Sequence, residues 1–150
     1  MQIEHSASGN CSDGFAMDCS LEELKARSQA DFEIEFFEWI LHRDPNQSQV
    51  LRCLGDLFAE KGLHRRALRV DMKLAELHPY RPAVFYNLAC SYAVLGHELA
   101  ALESLERAVE LGFSDGDYML IDPDLSSVRQ NPRFRRLASR LKVAAGATVV

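Results

Sequence analysis

The chain has 150 residues, and its hydrophobic share of 47% and charged share of 26% are typical of one folded globular domain rather than a disordered chain. No apolar run approaches the roughly 18 residues that a membrane-crossing helix needs, and the first residues do not show a signal peptide's basic stretch followed by an apolar core. The net charge of −5 is uneven, with −7 over residues 1–50, −4 over 51–124 and +6 over 125–150. We therefore expect a cytoplasmic protein with an acidic beginning and a basic end.

The first part of the chain predicts an arm and two helices. Residues 1–19 are rich in Ser, Gly and Asp without a helical period, which predicts a mobile arm. Ser20 and Glu23 have the spacing of a capping box, so a short helix is expected over about 20–28. A stronger helix is predicted over about 31–43. Its apolar stripe comprises Phe32, Phe36, Phe37, Ile40 and Leu41.

A pattern of large and small residues is then written twice at an interval of 34 residues. Each copy has two large apolar residues, a small residue, an aromatic residue, a turn glycine and a second small residue. The first copy comprises Leu51, Leu54, Gly55, Phe58, Gly62 and Ala67, and the second comprises Phe85, Leu88, Ala89, Tyr92, Gly96 and Ala101. A period of this length is typical of stacked helix–turn–helix units.

Each copy of the pattern predicts a helical hairpin. The helices of the first hairpin are expected over about 47–61 and 64–77, and those of the second over about 82–95 and 98–111. The glycine between the two helices can take the left-handed backbone conformation that ends the first helix. The small residues of each copy are expected to let the paired helices approach closely.

The pattern changes after residue 113. Asp122-Pro123 and Asn131-Pro132 each combine a capping side chain with a first-turn proline, so each pair predicts a helix start. The last helix is expected over about 132–143 and predicts a cap for the stack, because a helical array needs a terminal element with a polar outer face. Residues 144–150 are small and apolar, and we expect them to be frayed.

These residues and their spacing resemble the tetratricopeptide repeat family. The resemblance implies an all-α fold, a short right-handed solenoid of antiparallel helical hairpins. It also implies that the concave face, lined mainly by the first helix of each repeat, binds a peptide or another protein. The expected limits are a degenerate repeat at 20–47, repeats at 48–81 and 82–115, and a capping segment at 116–143.

The resemblance places a peptide-binding site on the first helices of the two clear repeats. The expected contacts on the concave face are Gln49, Arg52, Asp56, Tyr86, Asn87, Cys90 and Val94. Tyr86 is expected to supply rigid contact area, while Arg52 and Asn87 supply directional hydrogen bonds. We therefore predict a non-catalytic binding module for a protein or peptide ligand. The alternatives are an accessory or regulatory subunit docked on one enzyme and, ranked far behind, a small hydrolase that uses Cys90.

Two departures from the family pattern bear on the ligand. Members of the family hold a chaperone's terminal carboxylate with lysine, arginine and asparagine on successive first helices. Arg52 could serve in that set and Asn87 matches it, but Asp56 stands where an asparagine is needed and would repel a carboxylate, so no carboxylate clamp is predicted. Asp71 replaces a large apolar residue of a second helix. It is either a hydrogen-bond acceptor within the fold, which we favour, or a ligand contact.

Other chemistry finds little support in the sequence. The five histidines have no metal-binding spacing, and there is no P-loop or GxGxxG motif, so no metal or cofactor is expected. The four cysteines form no CxxC pair and are expected to be reduced thiols. Cys90 and His97 are the pair to consider as nucleophile and base, but helical geometry separates them by roughly 10 Å.

The charge distribution predicts weak contacts between molecules. The basic residues from Arg129 to Lys142 have no interleaved aromatic residues, and the whole protein is acidic, so a nucleic acid is not the expected partner. The acidic and basic ends are expected to lie at opposite ends of the stack. We expect a monomer at physiological salt, with weak association only at low salt.

Overall fold

The structure is a computed structural model that describes residues 28–146. This part of the chain contains seven α-helices and one 3-10 turn, and no strand. The elements are α1 (Gln29–Arg43), α2 (Ser48–Glu60), α3 (His64–Leu77), α4 (Pro82–Val94), α5 (Glu98–Glu110), α6 (Gly116–Ile121), the 3-10 turn (Pro123–Leu125) and α7 (Pro132–Gly146). The all-α prediction is confirmed. The predicted arm and the capping box at Ser20 lie outside the described residues.

The helix starts repeat at the interval found in the sequence. Counted in residue numbers, the first helices α2, α4 and α6 begin at 48, 82 and 116, and the second helices α3, α5 and α7 begin at 64, 98 and 132. The segment from α6 to α7 therefore occupies the position of a third hairpin. Its first helix is interrupted after Ile121, because Pro123 has no amide hydrogen with which to continue the helical hydrogen bonds.

The turns inside the two clear hairpins are built around glycine. Gly62 and Gly96 have φ values of 71° and 77°, a left-handed conformation that residues with a side chain rarely adopt. In each turn the next residue closes the end of the helix, with Leu63 N donating to Phe58 O at 2.7 Å and His97 N donating to Tyr92 O at 2.9 Å. These bonds satisfy carbonyl groups that the helix end would otherwise leave unpaired.

The small residues of the repeat lie at close helix crossings, as expected. A Cβ atom added to Gly55 in α2 would come within 3.3 Å of Val70 Cγ1 in α3, so this crossing has no room for a larger side chain. Ala89 in α4 takes the place of Gly55, and Ala101 in α5 takes the place of Ala67; both are fully buried.

The core consists of two clusters that meet at α4. Val84 of α4 belongs to the cluster formed with α1, α2 and α3, whereas Ala89 and Ala93 belong to the cluster formed with α5 and the C-terminal elements. In the second cluster, Phe134 of α7 is completely buried. A single helix thus holds the two halves of the stack together.

The predicted apolar stripe of α1 is wrong for two of its residues. Ile34 is buried, with Phe37 and Leu41 packed around the same cluster, whereas Phe32 and Phe36 are exposed. α1 therefore has an apolar side that faces α2 and α3 and a second apolar side that no described residue covers.

An ion pair ties the C-terminal hairpin to the rest of the stack, and a second ion pair joins the two helices of the hairpin. Arg133 of α7 forms two hydrogen bonds with the carboxylate of Glu106 in α5, at 3.1 and 2.8 Å, and Lys142 lies 3.2 Å from Asp117. α7 continues to Gly146, so the expected fraying from residue 144 does not apply to 144–146. Part of the basic charge expected to face outward is thus neutralised within the C-terminal region.

Within residues 28–146, no helix combines the length and the apolar character that crossing a membrane requires.

Candidate functional site

An open cavity of about 360 Å³ lies between α2, the end of α3 and the start of α4, and we call it the α2–α4 cavity. Its polar lining includes Gln49, Arg52, Asp71, His78, Arg81 and Asn87. Three of the seven predicted contact residues therefore lie together here, namely Gln49, Arg52 and Asn87. Asp56 is exposed on α2 but does not line the cavity, and Val94 is exposed at the far end of α4.

Two arginines give the α2–α4 cavity a positive lining. Arg52 donates to Gln49 Oε1 at 2.7 Å, and Arg81 immediately precedes α4. Among residues 28–146, neither arginine forms an ion pair with a carboxylate. Within the described residues, both guanidinium groups thus lack a charged partner that would compete with an anionic group.

The starts of two helices add to this positive field. Ser48 and Gln49 in the first turn of α2, and Ala83 and Val84 in the first turn of α4, line the same cavity. Neither helix start has a side-chain cap hydrogen bond in the described part of the chain. Because the amide hydrogens at a helix start carry partial positive charge, both ends favour an anion over a cation.

Asp71 of α3 is a structural hydrogen-bond acceptor that also lines the cavity. Its Oδ2 atom accepts a hydrogen bond from the hydroxyl group of Ser91 in α4. The pKa of Asp71 is raised to about 6, mainly by burial and in addition by the nearby Asp56 carboxylate, while the hydrogen bond from Ser91 opposes the change. The donor that the structural interpretation required is thus Ser91.

Tyr86 does not offer the exposed contact area that was expected. It is 5% exposed, its hydroxyl group donates to Asp122 Oδ2 at 2.7 Å, and its ring stacks on Phe113 at 4.4 Å between centroids. The chain after α5 folds back over α4 and covers this position. Burial and the bond to Asp122 both raise the pKa of Tyr86, so its hydroxyl group stays protonated and acts as a donor.

Cys90 lies beside the same carboxylate. Its Sγ atom is 3.7 Å from Asp122 Oδ2 and is partly buried. Burial raises the pKa of the Cys90 thiol, and the negative charge of Asp122 raises it further, so the thiol is not ionised at neutral pH. A nucleophilic cysteine needs the opposite shift. This environment argues against the hydrolase alternative.

Asp122 holds the C-terminal segment against α4, and we call its contacts with Tyr86, Asp124 and Arg129 the latch. Its Oδ1 atom accepts from Asp124 N at 3.0 Å, which caps the 3-10 turn, while Arg129 Nη2 donates to its backbone oxygen at 2.6 Å. Cys90, Asp122 and Asp124 place three potential metal-ligand atoms within 4.8 Å of one another. However, both carboxylate oxygens of Asp122 already accept hydrogen bonds, so the group is explained as a latch without a metal.

Sequence reasoning did not place Arg81 and His78 in the site, and it identified Asp122 only as a capping residue. Asp122 stands 34 residues after Leu88, so a polar residue in an apolar register position was a signal of a buried hydrogen bond. Arg81 and His78 lie in the connection between the two repeats. A pattern that describes only the helices does not indicate where the side chains of a connection lie.

Several solved structures resemble this chain. Two crystal structures of MamA each match with a TM-score of 0.64, one at 20% identity over 87% of this chain and 75% of that chain, the other at 21% over 84% and 67%. A structure described as MamA MSR-1 C2 matches with a TM-score of 0.59 at 21% identity, over 81% of this chain and 72% of that one.

These similarities define the class of fold. MamA contains tetratricopeptide repeats, and the resemblance predicted from the sequence is therefore confirmed for the fold. The described part of the chain is an all-α, tetratricopeptide-like stack of helical hairpins. At 20–21% identity the comparison concerns architecture and does not extend to ligands.

Sequence comparison adds a short local match. A chloroplastic protein of Arabidopsis thaliana is 39% identical over 49 residues, which span 33% of this chain and 15% of that protein. No model of a known protein family matches the chain.

Proposed function

We propose that the protein is a non-catalytic binding module whose α2–α4 cavity receives an acidic segment of a partner protein. The observation that carries the proposal is the presence of Arg52 and Arg81 in one cavity without a carboxylate partner among residues 28–146. An aspartate or glutamate side chain of the ligand supplies the missing negative charge. Hydrogen bonds between charged groups are roughly twice as strong as neutral ones, and they give direction as well as affinity.

Neutral groups around the arginines suit a peptide ligand. Asn87 and Gln49 are exposed and line the same cavity, and an amide side chain can both donate to and accept from a peptide backbone. The apolar side chains of Leu74 and Val84 form part of the wall. A mostly polar lining with a small apolar part can hold both the side chains and the backbone of an extended peptide.

Asp71 makes the proposed binding sensitive to pH. Its carboxylate lies in the cavity and repels an acidic ligand while it is ionised. Because the pKa of Asp71 is raised to about 6, the carboxylate becomes protonated as the pH falls from 7 to 5.5. An acidic peptide that itself remains ionised should therefore bind more tightly at pH 5.5 than at pH 7.5.

Peptide pools of defined composition test the proposal. Fluorescein-labelled ten-residue pools enriched in acidic, neutral or basic residues are titrated with the full chain, and binding is followed by fluorescence anisotropy. The acidic pool should bind most tightly. Arg52→Gln and Arg81→Gln should each weaken its binding about 10–100-fold, because a hydrogen bond to a charged group contributes about 1.5–3 kcal/mol.

Arg65→Gln is the matched control. Arg65 is also an exposed arginine, but it lies at the start of α3 and does not line the cavity. Arg65→Gln removes the same charge as the two cavity substitutions. An equal loss of affinity in this variant would therefore show that only the overall charge matters. Equal binding of the three pools, or binding that survives both cavity substitutions, would overturn the proposal.

A further inference from the structure

An open groove of about 460 Å³ lies between α5 and α7, and we call it the α5–α7 groove. α7 contributes Arg133, Arg136 and Arg140 to its lining, and α5 contributes Glu106 and Glu110. Both helices are the second helices of their hairpins, whereas the α2–α4 cavity is formed mainly by first helices. The groove and the cavity share no lining residue, so they are separate sites.

Three of the charged groups in the α5–α7 groove already have partners. Arg133 forms two hydrogen bonds with the carboxylate of Glu106, at 3.1 and 2.8 Å. Glu110 forms an ion pair within α5 at 3.2 Å. In the described part of the chain, Arg136 and Arg140 form no ion pair with a carboxylate. The groove therefore carries two positive charges that its own residues do not neutralise.

These two arginines are neighbours on one face of α7. They are four residues apart, which places their Cβ atoms about 5–6 Å from each other, and both side chains are exposed. A guanidinium group presents its hydrogen-bond donors as a planar fork that matches two oxygen atoms of a phosphate group. Two such groups side by side can therefore hold one tetrahedral anion between them.

The charge balance of the groove favours one compact dianion over a run of acidic side chains. A phosphorylated serine carries a charge of about −1.5 to −2 at neutral pH, which matches the two unpaired arginines. Several carboxylates in a row would exceed that positive charge and would lie close to Glu106 and Glu110, which repel them. Val109 and Leu137 also line the groove and offer apolar contact to the residues that flank the phosphate.

We infer that the α5–α7 groove binds a phosphorylated serine or threonine of a partner protein through Arg136 and Arg140. The inference does not depend on the acidic ligand proposed for the α2–α4 cavity, because the groove shares no residue with it. The protein thus has a second binding surface, formed by a different pair of helices. Phosphorylation of the partner decides whether this second surface is occupied, because an unmodified hydroxyl group supplies no charge to the arginines.

Peptides that carry a single phosphate test the inference. The full chain with Arg52→Gln and Arg81→Gln lacks both arginines of the α2–α4 cavity, so binding to this variant reports on the groove. Fluorescein-labelled ten-residue pools with neutral flanking residues carry phosphoserine, aspartate or serine at the centre, and binding is followed by fluorescence anisotropy. The phosphoserine pool should bind at least about tenfold more tightly than the other two. Arg136→Gln and Arg140→Gln, each added to this variant, should weaken that binding about tenfold, because each removes one charged donor group.

Arg135→Gln is the matched control for this experiment. Arg135 is an exposed arginine of α7 that does not line the groove, so its replacement removes the same charge from the same helix. The dissociation constant of the phosphoserine pool should then stay within about twofold of the unchanged value. An equal loss in this variant would overturn the inference, since it would show that only the overall charge of α7 matters.

Two further results would also overturn it. Binding of the phosphoserine pool that survives both Arg136→Gln and Arg140→Gln would place the phosphate elsewhere. Equal binding of the aspartate and phosphoserine pools would show that the groove does not require a dianion.

Discussion

Replacing Asp122 with alanine should destabilise the protein by about 2–4 kcal/mol. The hydroxyl group of Tyr86 is buried and donates to Asp122 at 2.7 Å, so the substitution leaves it without a partner. An unpaired buried polar group costs about 1–3 kcal/mol. The side chain of Asp122 also caps the 3-10 turn through Asp124 N, and loss of such a cap costs about 1 kcal/mol.

Urea unfolding followed by circular dichroism measures this loss, and a double-mutant cycle with Tyr86→Phe separates the hydroxyl bond from the cap. Tyr86→Phe alone should cost about 0.5–1.5 kcal/mol, because it removes the donor without leaving it unpaired. The double variant should lose about 1 kcal/mol less stability than the sum of the two single losses, since the shared hydrogen bond can be lost only once.

Asp124→Asn provides the control, because Asp124 is an exposed neighbour whose own carboxylate is not the one that accepts from Tyr86. Its unfolding midpoint should remain close to that of the parent. The latch is refuted if Asp122→Ala changes the free energy of unfolding by less than about 0.5 kcal/mol, or if the cycle is strictly additive.

Three further outcomes are expected. Ala101→Leu should lower the free energy of unfolding by about 1–3 kcal/mol, because Ala101 is fully buried at a helix crossing. An unchanged urea midpoint would contradict that packing. Burial raises the pKa of Asp71 to about 6, so the folded state holds a proton that the unfolded chain lacks between about pH 6 and 4. The parent should therefore gain stability relative to Asp71→Asn as the pH falls through that range, and a constant difference would show that the raised pKa is wrong. Light scattering should show a monomer at about 0.3 M salt and weak association at about 0.02 M, because exposed ion pairs are screened; a salt-resistant dimer would require an apolar interface.

The features that sequence predicts well are those set by residues close together in the chain. The glycine turns at Gly62 and Gly96, the helix starts and the small residues at the crossings follow from local geometry and from the 34-residue interval. The described structure confirms each of these features. They can be predicted because each helix packs against the helix next to it in the chain. The positions of the helices therefore required no knowledge of the rest of the fold.

The candidate site is harder to predict because it depends on distant segments. Tyr86 occupies the register position of Arg52, and the repeat alone gives both the same exposure. Only Tyr86 is covered, since the chain from Phe113 to Asp122 folds back over it. Arg81 enters the site from a connection that the helical pattern does not describe.

Asp71 and Asp122 together explain why the open cavity lies on one side of α4. Each stands in a register position that is apolar elsewhere in the repeat, where Leu105 and Leu88 are buried. Each accepts a hydrogen bond from a hydroxyl group of α4, Ser91 for Asp71 and Tyr86 for Asp122.

The two bonds differ in what surrounds them. Asp122 brings a covering segment onto α4 and buries Tyr86, so this side of α4 is closed to a ligand. Asp71 joins α3 to α4 without such a segment, and the arginine-lined cavity beside it remains open. Because buried carboxylates need hydrogen-bond donors at fixed positions, Asp71 and Asp122 also determine how α4 is positioned. The proposed ligand site is therefore a consequence of the same polar contacts that hold the repeats in place.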